Sequence, residues 1–230
     1  MSEFQVLPVG NLTYEIIPGV SVNAVVMTRY CACRDCHLIF QNPRLSDIEL
    51  GKFYSTGYYR QTINATPEEV DGGELHRAKV DVEIIKRHIG EVKSHLDIGC
   101  GHGYLLNEVG SPRRVGVEPE VNYVKVEDIE IYPEMNKVPY KSFDLVSAIH
   151  VLEHVPYPLD YLKGIVKFIG KDGYLVIEVP TWKSPGGPLR FPHLYHFEPD
   201  VLKAICKQVG LNVIHEEFTP HLLLICNDNS

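Results

Sequence analysis

From residue 75 onward the apolar positions fall into two rhythms. Leu75, Ala78, Val82, Ile85 and Ile89 recur at alternating three- and four-residue spacing, the period of one helix face. This predicts a helix over Glu68–Ile89, stopped by Gly90, a residue suited to the left-handed turn that ends helices. Short apolar runs follow at Ser94–Ile98, Arg113–Glu118, Lys141–His150 and Tyr174–Val179. Near-continuous runs of that kind read as strands buried on both faces, as in a parallel sheet. Between them, Tyr104–Val109 reads as a helix, and Pro158–Ile169 carries Leu159, Leu162, Ile165, Val166 and Ile169 on one face. Asp200–Val209 is a further helix, and Leu211–His215 and His221–Cys226 are two closing strands. Strand and helix in alternation predict an α/β domain over residues 68–230 with a mostly parallel sheet of about seven strands and helices on both faces. One crossover is short: only Pro119–Tyr123 stands before Val124–Asp128, read as the third strand. Either the helix there shrinks to a turn or that strand is misplaced.

Residues 1–67 have another texture and predict a small β-rich extension. Leu12–Ile17 and Ser21–Thr28 flank Pro18-Gly19 as a hairpin. Ser46 and Glu49 fit a capping box for a short helix over Ser46–Phe53. Tyr54, Tyr58 and Tyr59 cluster just after it and are expected to turn toward the site.

At the end of the Ser94 run the chemistry concentrates. Asp97 is followed by Gly99, Gly101 and Gly103 in alternation, then at once by the Tyr104 helix. Strand, glycine turn and helix start make a nucleotide cradle, where bare backbone and N–H groups meet a ligand. The dinucleotide fingerprint needs a third glycine where Tyr104 stands, and the P-loop needs a Gly-Lys-Ser/Thr that is missing. An acidic Asp97 before the first glycine disfavours a pyrophosphate and suits a ligand with an ammonium group.

Leu96-Asp97-Ile98-Gly99-Cys100-Gly101-His102-Gly103 resembles the first motif of the class I S-adenosylmethionine (SAM) dependent methyltransferases. Val115-Gly116-Val117-Glu118-Pro119 is similar to their second strand, and Phe143 through Val155 to their fourth strand and following turn. The resemblance covers Leu75 to about Cys226 and implies a Rossmann-like fold with SAM as cofactor. It implies that Asp97, Gly99, Cys100, Gly101 and Gly103 cradle SAM and that Glu118, with Pro119, holds the ribose. It sets Asp128 and Ile129 against the adenine, and His150 and Val151 toward the methionine end. Candidate bases for the acceptor are His154, His193 and His196, since histidine titrates near neutrality. Pro180–Pro192, with Trp182, Arg190 and Phe191, reads as a lid, and Asp71-Gly72-Gly73 as a hinge. Glu178, near the end of its strand, is a further carboxylate of note.

Cys33-x-x-Cys36 with His37 through Arg44 resembles the second knuckle of a zinc ribbon. No cysteine precedes Cys31, so the first knuckle is missing. Zinc wants a tetrahedron of ligands, and Cys31, Cys33, Cys36 and His37 offer it only from one cramped turn. No metal is expected.

A formal charge of −8 over 230 residues argues against a nucleic-acid partner. The N-terminal ten residues lack a basic start, and no apolar run reaches membrane-spanning length. The expectation is a cytoplasmic enzyme with a small-molecule acceptor, no nucleic-acid partner and no membrane partner, of open oligomeric state. A non-catalytic SAM-binding protein and an NAD-dependent oxidoreductase are the competing readings.

Overall fold

The computed structural model describes residues 4–7, 13–14, 24–25, 30–55, 66–181, 184 and 193–228. Its centre is a seven-stranded sheet. β6 (Ser94–Ile98) and β9 (Phe143–Ile149) lie in the middle. β7 (Arg113–Val117) and β8 (Glu130–Tyr132) extend it on one side. On the other side stand β10 (Ile169–Val179), β13 (Leu222–Asp228) and β12 (Leu211–Phe218). The order is β12-β13-β10-β9-β6-β7-β8. β6 to β10 pair parallel, and β13 runs antiparallel to β10 with β12 folded back on it.

All five β6 residues are buried, the polar Ser94, His95 and Asp97 among them, as a central strand covered on both faces requires. The pleat sends alternate side chains to opposite faces. Val146, Leu175 and Ile177 join Leu162 and Ile165 of α4 (Pro158–Val166) and Leu202 and Cys206 of α5 (Pro199–Gln208) on one face. Leu145, Val176, Leu223 and Ile225 meet Ala78, Ile84 and Ile85 of α2 (Pro67–His88) and Leu105 of α3 (Tyr104–Val109) on the other. α2 opens on a Thr66–Glu69 capping box and runs unbroken through Asp71-Gly72-Gly73, so the expected hinge is helical. Gly90 follows at φ +86.

The short crossover resolves both ways. A single 3-10 turn, Val121–Tyr123, replaces the helix, and the third strand is β8, not Val124–Asp128. The reason is tertiary: Lys125 and Val126 donate their N–H groups to the His102 carbonyl, so they are spent on the glycine loop before any ladder can form. Pairing to β7 begins only at Glu130. Gly170–Gly173 is an irregular part of β10, which resumes regular pairing at Tyr174.

The second sheet joins the two ends of the chain. β1 (Phe4–Leu7), β4 (Tyr30–Cys33) and β5 (Ile39–Gln41) pair antiparallel, and β11 (Tyr195–His196) completes the sheet against β5. β2 (Thr13–Tyr14) and β3 (Ala24–Val25) make the expected hairpin pairing. α1 (Asp47–Ser55) opens on the expected Ser46–Glu49 box, with Glu49 accepting from Ser46 N–H at 2.8 Å. Among the described residues, no helix is long and apolar enough to cross a membrane.

Candidate active site

A cavity of about 940 Å³ opens at the carboxyl edge of β6, β7 and β9, where ligands bind in open α/β sheets. Asp97, Gly99, Cys100, Gly101, Glu118, Pro119, His150, Val151 and His154 all line it. The sequence-predicted residues are thus brought together from four separate segments.

The glycine turn owes its shape to what presses on it. A Cβ on Gly99 would lie 2.6 Å from the Val151 side chain, and one on Gly101 2.9 Å from Glu74 Oε2; both glycines sit at positive φ. The loop N–H groups are already used. Gly99 and Cys100 donate to the Val117 carbonyl, and Gly103 to that of Cys100. Gly101 donates to Glu118 Oε2 at 3.2 Å and His102 to Glu74 Oε2 at 3.3 Å. The loop therefore presents bare backbone surface rather than free donors. Glu118 is buried, and its other oxygen accepts from Glu120 N–H at 3.1 Å.

Asp97 lies fully buried and accepts a 2.6 Å hydrogen bond from Ser147, whose hydroxyl also meets His95 Nε2 at 2.7 Å. Burial pushes the Asp97 carboxyl up to about 7, against the Ser147 bond, with Glu118 adding repulsion. An ammonium group beside it would restore the carboxylate.

These residues fit SAM. A bare-backbone turn, a buried carboxylate for an ammonium, and an anchored carboxylate at the end of β7 for ribose hydroxyls match its parts. When bound, the cofactor supplies a sulfonium-activated methyl group, so the protein's task is position and exclusion of water.

Other expected positions fall elsewhere. Gly103 caps α3 at φ +87, and its open side faces Ile129, Val126 and Val124. Ile129 therefore packs behind the loop, and Asp128, exposed at φ +58, is no part of the cavity wall. Pro133, Glu134, Met135 and Asn136, just after β8, line the cavity in their stead. The displaced third strand moved that contact downstream. His193 and His196 stand behind His154 rather than on the wall. Trp182, Arg190, Phe191, Tyr58 and Tyr59 lie outside the described residues.

Beyond the cofactor cradle, the cavity wall turns acidic and imidazole-rich. His150 ends β9 at φ +54, a left-handed conformation rare for a residue with a side chain. Its Nε2 lies 2.9 Å from Glu178 Oε1, and its Nδ1 3.4 Å from Glu153 Oε1. Glu178 also accepts from the Thr219 hydroxyl at 2.8 Å. Asp81 of α2 is buried, its Oδ1 without a hydrogen-bond partner among the described residues, and burial followed by Glu178 pushes its carboxyl up to about 9. Glu178 itself is held low: burial opposes its charge, and His150, His221 and Arg77 outweigh that. The shared proton thus belongs to Asp81.

His154 ends a short 3-10 turn, Leu152–His154. Its Nδ1 meets the Tyr54 hydroxyl of α1 at 2.9 Å, and its Nε2 lies 3.7 Å from Glu153 Oε1. Burial depresses His193 well below its ordinary value, and brings His196 down to about 4. Of the candidate bases, His154 alone reaches the cavity. Sequence reasoning missed Glu74, Arg77, Asp81 and Met135. The first three share a visible signal, since they sit on the helix that precedes the glycine loop; Met135 has none.

The cysteines take another path. Cys31 is buried in β4, while Cys33 and Cys36 flank an exposed turn. Hydrogen bonds from the Cys36 and Asp35 backbone lower the Cys33 thiol. Among the described residues, the groups with metal-ligand spacing are three, and none contains a cysteine.

The sheet order, the glycine cradle and the anchored acid after β7 define a Rossmann-like, SAM-binding methyltransferase architecture. A methyltransferase-domain family model matches residues 75–216. The chain belongs to that methyltransferase-domain family. It is 33% identical over 116 residues to a tRNA U34 carboxymethyltransferase of Colwellia psychrerythraea, a match covering 41% of this chain and 34% of that protein. It is 27% identical over 162 residues to the Photobacterium profundum enzyme of the same name, covering 55% of this chain and 48% of that one. The chain thus spans half or less of these curated relatives. In fold, it resembles the Burkholderia thailandensis 1,6-didemethyltoxoflavin-N1-methyltransferase solved with S-adenosylhomocysteine and its acceptor. That likeness has a TM-score of 0.62 at 16% identity and covers 89% of this chain and 97% of that one.

Proposed function

We propose that this enzyme methylates a small-molecule acceptor, a metabolite of sugar-like or lipid-like size, at the end of the cavity bounded by Tyr54, His150 and His154. The observation that carries this reading is the cavity itself. Its volume, about 940 Å³, is at the upper end of small-molecule sites and suits a cofactor with an acceptor beside it. Residues 1–67 act in this reading as an acceptor-side wall added to a catalytic domain of residues 68–230. His154 is the histidine that faces the acceptor and positions it, with His193 and His196 behind it. Asp97, Gly99, Cys100, Gly101, Glu118, Pro119, His150 and Val151 hold the cofactor. The free thiols of all six cysteines suit a reducing cytoplasm.

A second reading, tRNA as acceptor, is favoured by the names of the curated relatives. The cavity lining speaks against it: Asp47, Glu74, Asp81, Asp97, Glu118, Glu120 and Glu134 outnumber Arg77, Lys141 and Lys167, and the chain carries a net −8. Nucleic-acid affinity rests on neutralising phosphates with cations. The test is transfer of labelled methyl from SAM to a metabolite panel and to bulk tRNA in parallel. Label in metabolites alone supports the small acceptor; label in tRNA alone overturns it.

A further inference from the structure

Behind the cavity wall lies a group of side chains that methyl transfer alone does not explain. Glu153 is 1% exposed, and among the described residues neither of its oxygens has a hydrogen-bond partner. A buried carboxylate left so is costly unless a cation meets it. What surrounds it is imidazole. One oxygen of Glu153, one nitrogen of His154 and one of His193 lie within 4.8 Å of one another. The His154 and His193 rings stand edge to face at 4.8 Å, and His196 lies 5.7 Å beyond His193. His193 Nδ1 is itself buried with no hydrogen-bond partner among the described residues.

We propose that Glu153, His154 and His193 bind one divalent transition-metal ion, zinc in the first instance, at the acceptor end of the cavity. Two imidazoles and one carboxylate are a familiar zinc donor set that leaves a coordination position open. The ring orientation agrees. Tyr54 engages His154 Nδ1 at 2.9 Å, so Nε2 is the nitrogen turned toward Glu153. Metal-binding histidines are held in this way through their second nitrogen. The backbone agrees too. The Leu194 N–H donates to the Glu153 carbonyl at 2.7 Å, and the Tyr30 hydroxyl donates to the His193 carbonyl at 2.9 Å. The two ligand-bearing segments are thus pinned together by bonds that do not need the ion. His154 also reaches the cavity wall, so the site adjoins the space proposed for the acceptor. The site extends the acceptor reading above but is measured without any acceptor, so the two fail separately.

The experiment uses the full chain, stripped with a chelator and titrated with Zn²⁺ and with Co²⁺. The expected result is about one equivalent bound per chain, with the visible bands of low-coordinate Co²⁺ and a rise in thermal midpoint. Glu153→Gln and His193→Ala should each weaken binding by about 10–100-fold or more. Circular dichroism and S-adenosylhomocysteine binding check that both variants still fold. If Glu153→Gln does not fold, His193→Ala carries the test alone. The double variant Cys33→Ser, Cys36→Ser should bind metal as wild type does. Absence of stoichiometric binding overturns the proposal and leaves an ion-pair cluster of Glu153 with protonated histidine. Binding that survives His193→Ala but disappears in the cysteine variant overturns it as well, by placing the ion at the cysteine turn.

Discussion

At the scale of single residues, the cradle is governed by steric exclusion and by one carboxylate. Glu118 uses both oxygens on backbone N–H groups, at 3.2 Å from Gly101 and 3.1 Å from Glu120. Glu118→Ala loses the ribose acceptor and loosens the turn together. The expected loss in S-adenosylhomocysteine affinity is about 1–3 kcal/mol, read by calorimetric titration; unchanged affinity removes Glu118 from the cofactor site. Gly101→Val should abolish binding, because its Cβ would press on Glu74 Oε2 from a backbone at positive φ. Asp81 gives a prediction of a different kind. Its folded carboxyl is raised to about 9 from an ordinary 3.8, by burial first, then by Glu178 and Asp97 against the pull of Arg77. The folded state therefore keeps a proton that the unfolded chain gives up. Its stability contribution is fully present below the ordinary value and falls as pH rises toward the folded one. Asp81→Asn removes that loss. Its thermal midpoint should gain on wild type from about pH 5 to about pH 8, with a slope of up to about 1 kcal/mol per pH unit. A gap independent of pH would show that Asp81 is already ionised in the fold.

At the scale of elements, the end of the cavity proposed for the acceptor is made by contact between α1 and the turn after β9. Tyr54 and His154 are 100 residues apart and meet at 2.9 Å. His154→Ala should keep cofactor affinity and lose turnover at least tenfold, about 1.4 kcal/mol in the barrier. Tyr54→Phe should shift turnover in the same direction by less, since it removes the ring's orienting partner and leaves the ring. Equal turnover in both variants and wild type would put the acceptor away from this turn. The Asp97–Gly103 cradle and Glu118 were legible in the sequence because turn, strand end and acid are local patterns. β6, β7, β9 and the helices were legible from periodicity for the same reason. The third strand was not. Val124–Asp128 has a strand's composition, but Lys125 and Val126 are captured by the His102 carbonyl, a tertiary bond without trace in the local pattern. The stretch that lines the cavity on that side is accordingly Pro133–Asn136 rather than Asp128 and Ile129. The cluster around Glu153 was not legible either, since its neighbour His193 comes from a distant segment.

At the scale of the whole molecule, the extension and the domain are joined through one sheet. β11 belongs by sequence to the domain, yet its pairing partner is β5, with Tyr195 opposite Phe40 and His196 opposite Ile39. Tyr30, fully buried, hydrogen-bonds the His193 carbonyl, and its ring meets that of His196 at 5.7 Å. Removing the extension therefore strips the support from the segment carrying His193 and His196 as well as Tyr54 from the cavity. The cofactor cradle has different supports. Glu74 and Arg77 come from α2, and Val151 from the turn after β9, all of which remain in a chain starting at Thr66. Such a chain should keep its helical circular dichroism and bind S-adenosylhomocysteine within about tenfold of the full protein, about 1.4 kcal/mol. It should transfer methyl to acceptor at least tenfold more slowly, by the same conversion applied to the barrier. Two results distinguish the roles of the parts. Lost cofactor binding in a folded truncated chain would mean that α1 helps close the cradle itself. Full turnover would mean that Tyr54, β5 and the wall they build stand outside the acceptor site, and the domain alone is the enzyme.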